Sequence, residues 1–346
     1  MKILIASGIY PPDIGGPAQY ARNLYETWKK QGHDVKVAAY RWERIAPPGL
    51  RHFLYLTKII RKGWNADLIL VLDTWSAAVP TLWACKLMRK KYIIRTGGDF
   101  LWETYVERTG DLVRFKDFYP AKLPSLTMKE RLVYDLGGRA LRNASAIIFS
   151  TEWQKKIFED AYELDKNKNY IVLNHFGEKR DPAVPEERSF VAGSRFVKLK
   201  NMDMLESAFE EARLKVKQAG FEDIQMDTGK AVYDSFVEKI RNAYCVIVPS
   251  ISEISPNIIA DAISVGTPYI LTKENGLDDE INKAGVLIDP MDKNDMAEKI
   301  LWMSDPENRK KCSLRVSSLS IYNSWDMIAK EIQSILEKIQ YGKKTS

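Results

Sequence analysis

Short apolar segments alternate with amphipathic helical patterns along most of this chain of 346 residues. Strands that alternate with helices in this way build parallel sheets covered by helices. The first series of apolar segments reads KILIA, DVKVAAY, DLILVL, YIIRTG and AIIFST, and the second reads SFVAGS, DIQMDTG, CVIVPS, PYILT and GVLID. Between the two series lies EKRDPAVPEERS, a linker rich in proline and charge. We therefore predict an α/β protein of two Rossmann-like doubly wound domains, residues 1–185 and 186–321, that face a central cleft.

The composition excludes several classes of protein. No apolar run approaches the ~20 residues of a membrane span, and the opening MKILIASGIYPPD breaks too early for a signal peptide. The three cysteines and three histidines are scattered, without the spacing of a disulfide framework or a metal site. No zinc-finger or RRM signature points to nucleic acid. These features predict a cytoplasmic protein with no metal site and no nucleic-acid partner.

Basic residues are concentrated in the first half of the chain. Residues 1–185 hold 30 Lys and Arg against 20 Asp and Glu, whereas residues 186–346 hold 22 against 26. The asymmetry favours an anionic partner for the first half, although a solvated lysine-rich surface has the same composition.

The segment from Phe100 to Leu132 is aromatic, basic and out of step with the alternation of strands and helices. It is either a substrate lid or platform, or a surface elaboration that covers core. We expect its aromatic side chains to stack on sugars or to enter an anionic membrane interface, which gives peripheral membrane association. These aromatic residues are Trp102, Tyr105, Phe115, Phe118 and Tyr119.

Two glycines precede the first predicted helix. In SGIYPPDIGGPAQYARNLYETW the strand leads through prolines to Gly15 and Gly16, and Pro17 suits the first helical turn. A helix N-terminus offers N–H groups and partial positive charge, and glycine lets an anion approach them closely. The pair predicts either an anion site or a tight turn from strand to helix.

Two carboxylates surround another predicted helix start, in VIVPSISEISPNIIADAISVGTPYILT. Ser255 is the predicted N-cap and Pro256 the first helical residue. Glu253 lies in the loop before this helix, and Asp261 lies about one and a half turns into it. The first amides of the helix would bind a phosphate, and the carboxylates would accept hydrogen bonds from sugar hydroxyls. The alternative is a capped helix with two solvated acids.

A pair of cations follows the first strand of the second series. FVAGSRFVKLKN places Arg195 and Lys200 five residues apart. One guanidinium and one mobile ammonium suit a diphosphate clamp, and a pair of solvated loop charges has the same pattern.

Together these stretches resemble glycosyltransferase family 4, whose members have the GT-B fold. The resemblance covers nearly the whole chain and rests on GGPAQYARNLYETWKKQGHDVKV, GSRFVKLKN and PSISEISPNIIADAISVGTP, the last similar to the family's E-x7-E segment. SWDMIAKEI resembles the terminal helix that packs back onto the first domain, here about residues 322–340. The resemblance implies a retaining, metal-independent transferase with no cofactor. Its donor is a UDP- or GDP-linked hexose-type sugar, and its acceptor is a glycan or a lipid-linked saccharide.

The resemblance also implies roles for individual residues. Gly15 and Gly16 let the backbone approach the donor diphosphate, while Arg195 and Lys200 hold it and neutralise the departing nucleoside diphosphate. Asp99 serves the acceptor hydroxyl as a base or hydrogen-bond partner. Contacts to the donor sugar, phosphate and ribose come from a further set: Glu253, Pro256, Asn257, Ile258 and Asp261. The predicted catalytic residues are Asp99, Glu253, Arg195 and Lys200.

Two departures from the family pattern leave alternatives open. Asp261 stands where the family has a second glutamate, and RTGGDF lacks the histidine that often precedes the position of Asp99. A nucleotide-sugar epimerase of GT-B fold and a catalytically silent sugar-binding relative therefore remain alternatives to the transferase.

Overall fold

The computed structural model describes residues 1–13, 15–192, 197–229 and 233–341. The chain divides into two compact units. The first unit contains Met1–Thr104, Phe118–Asn174 and the chain from Ser324 onward. The second unit contains Tyr105–Asp117 and His175–Asn323.

The first unit is built on a six-stranded sheet in which every pairing is parallel, in the order β2-β1-β3-β4-β5-β6. Its strands are β1 (Lys2–Ser7), β2 (Asp34–Ala39), β3 (Leu68–Val71), β4 (Ile93–Arg95), β5 (Ala146–Phe149) and β6 (Asn169–Ile171). The strands β3, β4 and β5 are short runs that are buried along their whole length, as expected when helices cover a parallel sheet.

Helices connect these strands and cover the sheet. They are α1 (Gly16–Lys30), α2 (Pro48–Gly63), α3 (Ala78–Met88), α4 (Phe100–Thr109), α5 (Phe115–Lys122), α6 (Met128–Asn143) and α7 (Glu152–Tyr162). The last helix, Trp325–Tyr341, packs on α1 and the sheet, with Ile328 and Ile332 in the same core cluster as Leu24 and Trp28. The chain therefore ends in the unit in which it began.

The second unit contains a five-stranded parallel sheet in the order β11-β10-β9-β7-β8. Its strands are β7 (Ser189–Val191), β8 (Gln225–Asp227), β9 (Cys245–Val248), β10 (Tyr269–Thr272) and β11 (Val286–Ile288). Its helices are α8 (Met202–Gln218), α9 (Tyr233–Asn242), α10 (Asn257–Val265), α11 (Asp279–Ala284), α12 (Lys293–Ser304) and α13 (Pro306–Ser318). The last helix of the chain, α14, is the helix Trp325–Tyr341 of the first unit. The prediction of two parallel-sheet Rossmann-like units is confirmed.

The division between the units falls at residues 174 and 175, eleven residues before the predicted boundary at 185. Backbone hydrogen bonds bind the chain just before the predicted linker, and at its start, to other parts of the second unit. The Phe176 N–H donates to the Asn323 carbonyl at 3.1 Å, and the Arg180 N–H donates to the Ser264 carbonyl at 2.8 Å. Proline and charge therefore mark an ordered surface strip of the second unit, and not the point where the chain changes unit.

The aromatic segment from Phe100 to Leu132 differs from the exposed platform that we expected. It forms α4, α5 and the start of α6. All five aromatic residues that we expected to contact sugars or a membrane are buried. Because buried rings cannot stack on a sugar or enter a membrane, that interpretation is wrong and the core-covering alternative holds. Within the segment, Tyr105–Asp117 packs with the second unit, although it lies in the first half of the sequence.

Candidate functional site

The strand order of the second unit indicates a ligand-binding position at the carboxyl ends of β7 and β9. From β7 the chain goes to β8 on one side, and it then crosses to β9 on the other side of β7. Loops that leave two neighbouring strands in opposite directions open a crevice where parallel α/β sheets bind ligands. The loop after β7 carries Arg195, which lies outside the described residues, and Lys200. The loop after β9 carries Glu253.

Lys200 and Glu253 meet at this point. The Lys200 ammonium forms an ion pair with a Glu253 carboxylate oxygen, and the Ser250 hydroxyl donates to the same oxygen at 2.6 Å. The Glu253 side chain is 12% exposed and that of Lys200 27%. A partly buried ammonium and carboxylate at a crevice can bind, respectively, an anionic group and hydroxyl groups of one ligand.

Backbone hydrogen bonds hold Glu253 in place. Its N–H donates to the Glu274 carbonyl at 2.9 Å, and its own carbonyl accepts from the Gly276 N–H at 3.0 Å. Lys200 is held by the short 3₁₀ turn Lys198–Lys200, in which the Leu199 carbonyl accepts from the Ile251 N–H at 2.9 Å. The two loops are therefore joined to each other through the backbone.

Asn201 is a residue of the site that the sequence analysis missed. It is buried, adopts the left-handed conformation (φ 54°) and ends the 3₁₀ turn. Its amide donates to the carbonyls of Pro249 at 3.2 Å and Pro290 at 2.7 Å, so it joins the loops after β7, β9 and β11. Asparagine tolerates this backbone conformation better than most residues. Its position directly after Lys200, a predicted diphosphate-binding residue, was the signal by which the sequence could have identified it.

The segment Tyr105–Asp117 supports both loops from outside the sheet. The Glu107 carboxylate accepts from the Leu199 N–H at 3.3 Å, and its carbonyl accepts from the Lys198 ammonium at 3.0 Å. The Phe115 N–H donates to the Ser252 hydroxyl at 3.1 Å, next to Glu253. Sequence patterns gave no signal for these contacts, because they join residues more than 90 positions apart.

Helix α10 begins one residue later than predicted. Pro256, and not Ser255, is the N-cap, with φ −70° and ψ 118°, and Asn257 is the first helical residue. The fixed φ of proline is compatible with the extended N-cap conformation. Pro256 is therefore the last residue of the loop and not the first residue of the helix. The first amides of α10 follow Glu253 within a few residues.

Asp261 lies on the face of α10 that is turned away from the core. Ile259, Ala260, Ala262 and Ile263 are buried, whereas Asn257, Ile258 and Asp261 are exposed or half-buried. Because residues three or four apart share a helix face, Asp261 lies on the same side as the first two helical residues.

Gly15 and Gly16, the two glycines with a predicted role, follow β1 in the first unit. They lie at the corresponding position of that sheet, where the strand order reverses between β1 and β3. Gly15 is the N-cap of α1 with φ 148° and ψ 159°, a backbone conformation that residues with a Cβ rarely adopt. Gly16 is the first helical residue and Pro17 follows it. Gly15 is thus required by the backbone of the turn itself, whether or not an anion binds there.

Asp99, also in the first unit, is 2% exposed. One carboxylate oxygen accepts from the Trp102 N–H at 2.8 Å and caps the start of α4, and the other accepts from the Tyr119 hydroxyl. Tyr119 is in turn hydrogen bonded to the Tyr162 hydroxyl at 2.8 Å. Burial raises the pKa of the Asp99 carboxyl. These contacts give Asp99 a structural role, and its role toward an acceptor stays a prediction.

Arg95 is a second residue that the sequence analysis missed. It ends β4 and is buried, with its guanidinium 3.9 Å from the centre of the Tyr20 ring. The guanidinium donates to the Ser150 hydroxyl and the Asn174 side-chain carbonyl, which follow β5 and β6. A cation therefore joins three strand ends at the carboxyl edge of the first sheet.

The described ranges contain neither a cluster of metal ligands nor a helix that could span a membrane. No three His, Cys, Asp or Glu side chains in those ranges are grouped as metal ligands. None of the helices described in the structure is long and apolar enough to cross a bilayer.

Residues 188–305 match the model of a family described as "Glycosyl transferases group 1". The match contains Lys200, Glu253 and Asp261, and it covers most of the second unit. No curated protein matches the chain.

Solved structures share the fold over the full chain. Sucrose-phosphate synthase from Thermosynechococcus elongatus is 16% identical with a TM-score of 0.69, and the alignment covers 99% of each chain. Anabaena HepE in complex with UDP-glucose is 15% identical with a TM-score of 0.63 and full coverage of both chains. WaaG, a glycosyltransferase involved in lipopolysaccharide biosynthesis, is 13% identical with a TM-score of 0.65, covering 96% of this chain and 99% of its own.

The family match and the shared fold support a glycosyltransferase of the GT-B type. The sequence resemblance is supported at that level.

Proposed function

We propose that this chain is a retaining, metal-independent glycosyltransferase of family 4. It transfers a hexose-type sugar from a UDP- or GDP-linked donor to a glycan or a lipid-linked acceptor. The observation that carries the proposal is the Lys200–Glu253 pair at the crevice between β7 and β9. Support for a nucleotide-sugar donor comes from the similar fold of HepE, whose structures contain UDP and UDP-glucose.

The donor diphosphate binds Lys200, Arg195 and the first amides of α10. On binding, the diphosphate takes the place of the Glu253 carboxylate beside the Lys200 ammonium. Glu253 is thereby released to accept hydrogen bonds from hydroxyls of the donor sugar, while Ser250 continues to orient it. Asp261, on the outward face of α10, accepts from the ribose hydroxyls. Its side chain is one methylene shorter than glutamate, so this contact is closer to the helix axis.

Bond cleavage places negative charge on the departing nucleoside diphosphate. Fixed cations and helix amides that point at this charge stabilise the transition state more than the ground state. Lys200 and Arg195 provide the cations, and α10 provides the amides. Asp99 of the first unit is proposed as the partner of the acceptor hydroxyl.

The function is tested by incubating the purified full chain with a panel of UDP- and GDP-sugars, with and without candidate acceptors. We expect release of nucleotide that depends on the acceptor, together with a glycosylated product of unchanged anomeric configuration. Conversion of the donor sugar to its epimer without acceptor would identify the epimerase alternative. Binding of donors without either product would identify the silent relative.

Replacing Lys200 by alanine should weaken UDP or GDP binding about tenfold, because one charge-assisted contact of roughly 1.5–3 kcal/mol is lost. Arg195→Ala should have an effect of similar size. Titration calorimetry with each nucleotide measures the change. Lys198→Ala is the matched control, since it removes a cation from the same 3₁₀ turn. The Lys198 ammonium already donates to the Glu107 carbonyl, so it has no role in the proposed clamp. Equal affinities of wild type and Lys200→Ala would remove the diphosphate clamp.

Exhaustive chelation should leave the transfer rate unchanged. In the proposed mechanism the cationic side chains stabilise the leaving group, so no divalent ion is needed for that step. The rate is measured after dialysis against EDTA and again after Mg²⁺ or Mn²⁺ is added. Loss of turnover that either metal restores would contradict the mechanism.

A further inference from the structure

The first unit exposes large apolar side chains along α2 and the short 3₁₀ turn that precedes it, Trp42–Ile45. We call this set the α2 stripe, and its members are between 52% and 91% exposed. They are Trp42, Ile45, Leu50, Phe53 and Trp64.

The α2 stripe follows one face of the helix. Leu50, Phe53, Thr57, Arg61 and Trp64 are spaced by three or four residues, and all five are exposed. The opposite face binds the helix to the sheet. Tyr55 and Ile59 are fully buried there, and the Tyr55 hydroxyl donates to the Ala38 carbonyl at 2.8 Å. Within the described part of the chain, the fold therefore holds α2 through its inner face and leaves the apolar outer face exposed.

The chain segment that carries the α2 stripe is strongly basic. Residues 41–64 contain six Lys and Arg and a single acid, Glu43. That acid is buried and pairs with the Lys58 ammonium, so it contributes no negative charge to the surface. Arg41, Arg51 and Arg61 lie on or beside the stripe and carry its positive charge.

We infer that the α2 stripe binds the surface of an anionic lipid bilayer. Exposed Leu, Ile and Phe side chains enter the boundary between headgroups and acyl chains, while the arginines remain at the lipid phosphates. Tryptophans at both ends, Trp42 and Trp64, match the preference of indole rings for this interface. The inference does not depend on the proposed reaction, because it concerns a surface and not the β7–β9 crevice.

This surface differs from the one that the sequence indicated. The excess of basic residues in the first half suggested a membrane partner through the aromatics of residues 100–132, but those rings are buried. The α2 stripe combines positive charge with apolar groups that are exposed, and both properties are needed for interfacial binding. Its basic flanks favour a lipid surface over an apolar protein partner, since they complement anionic headgroups.

The test measures co-sedimentation of the full chain with vesicles, without any sugar substrate. Vesicles that contain phosphatidylglycerol and phosphatidylcholine are compared with vesicles of phosphatidylcholine alone. We expect binding to the anionic vesicles at about 0.1 M salt and a loss of at least tenfold at about 1 M, where the screening length falls from about 10 Å to about 3 Å. Absence of binding to anionic vesicles at the lower salt concentration would overturn the inference.

Two sets of variants locate the binding surface. Ile45→Asp combined with Phe53→Asp should reduce binding to anionic vesicles at least tenfold, and Arg51→Gln combined with Arg61→Gln should reduce both binding and its salt dependence. The matched control is Leu214→Asp with Leu314→Asp in the second unit, where both leucines are 64% exposed. The control should bind vesicles as the wild type does. If Ile45→Asp/Phe53→Asp binds anionic vesicles as well as the wild type does, the location is refuted. The inference is also refuted if the wild type binds no vesicles but forms a dimer, and this double substitution dissociates the dimer.

Nucleotide affinity separates this inference from the proposed function. The stripe variants should bind UDP or GDP as tightly as the wild type, because their residues lie in the other unit from Lys200 and Glu253. Vesicle binding that fails while nucleotide binding persists would reject the membrane surface alone. The opposite result would reject the proposed donor site alone.

Discussion

Glu253→Ala should lower kcat/KM for glycosyl transfer at least about 100-fold. In the proposed complex this carboxylate accepts two hydrogen bonds from donor hydroxyls, and each charge-assisted bond contributes roughly 1.5–3 kcal/mol. The loss is measured from initial rates over a range of donor concentrations. Glu253→Gln keeps the volume and one acceptor oxygen, so its activity should lie between those of the alanine variant and the wild type.

Folding and catalysis must be separated in this experiment, because Glu253 also accepts from Ser250 and pairs with Lys200. The thermal midpoint of each variant is therefore measured alongside its rate. Glu238→Ala is the matched control, since Glu238 is a glutamate of the same unit whose carboxylate pairs with Arg180 at the surface. An alanine variant that folds and retains more than a third of wild-type kcat/KM would exclude Glu253 from the site.

Gly285→Ala should destabilise the second unit by about 3 kcal/mol, the upper end of the usual cost of overpacking a core. A Cβ at this position would lie 2.1 Å from Cε2 and 2.4 Å from Cδ2 of the Tyr269 ring. The ring cannot move aside easily, because Tyr269 is fully buried in β10 and its hydroxyl donates to the Ile281 carbonyl at 2.5 Å. Thermal or denaturant unfolding measures the change, with an expected fall in the midpoint of roughly 6–12 °C.

Gly49→Ala provides the control for this substitution. Gly49 lies in the first turn of α2, and a Cβ there would meet no atom within 4 Å. Alanine at that position should leave stability unchanged or raise it slightly, because it restricts the unfolded chain. If Gly285→Ala and Gly49→Ala unfold at the same temperature, the packing of Tyr269 against the backbone before β11 is not as described.

The alternation of apolar runs with helical patterns was sufficient to predict both parallel sheets. That signal is local, since each strand of a covered parallel sheet is itself a short apolar run, as in DLILVL for β3 and CVIVPS for β9. Motif order identified candidate site residues. It selected Lys200 and Glu253, 53 residues apart, and the fold pairs them directly.

Local patterns were less informative where one residue type serves two purposes. Proline and charge in EKRDPAVPEERS indicated a boundary, but they also suit an ordered strip that is hydrogen bonded to the second unit. Pro256 fits both the N-cap and the first helical position, and only the backbone dihedrals distinguish the two. Gly15 is explained by its positive φ before any ligand is considered.

The sequence by itself determined the architecture, the glycosyltransferase resemblance and the choice of Lys200 and Glu253 as candidate site residues, because the succession of strands and motifs is written along the chain. The tertiary structure added that these two side chains form an ion pair. Only the tertiary structure decided which side chains are exposed. It buried the aromatics of residues 100–132, placed Tyr105–Asp117 against the loops of Lys200 and Glu253, and left the α2 stripe uncovered. The physical reason is that burial depends on neighbours that are distant in sequence. The composition of a segment records its apolar content but not the surface that covers it.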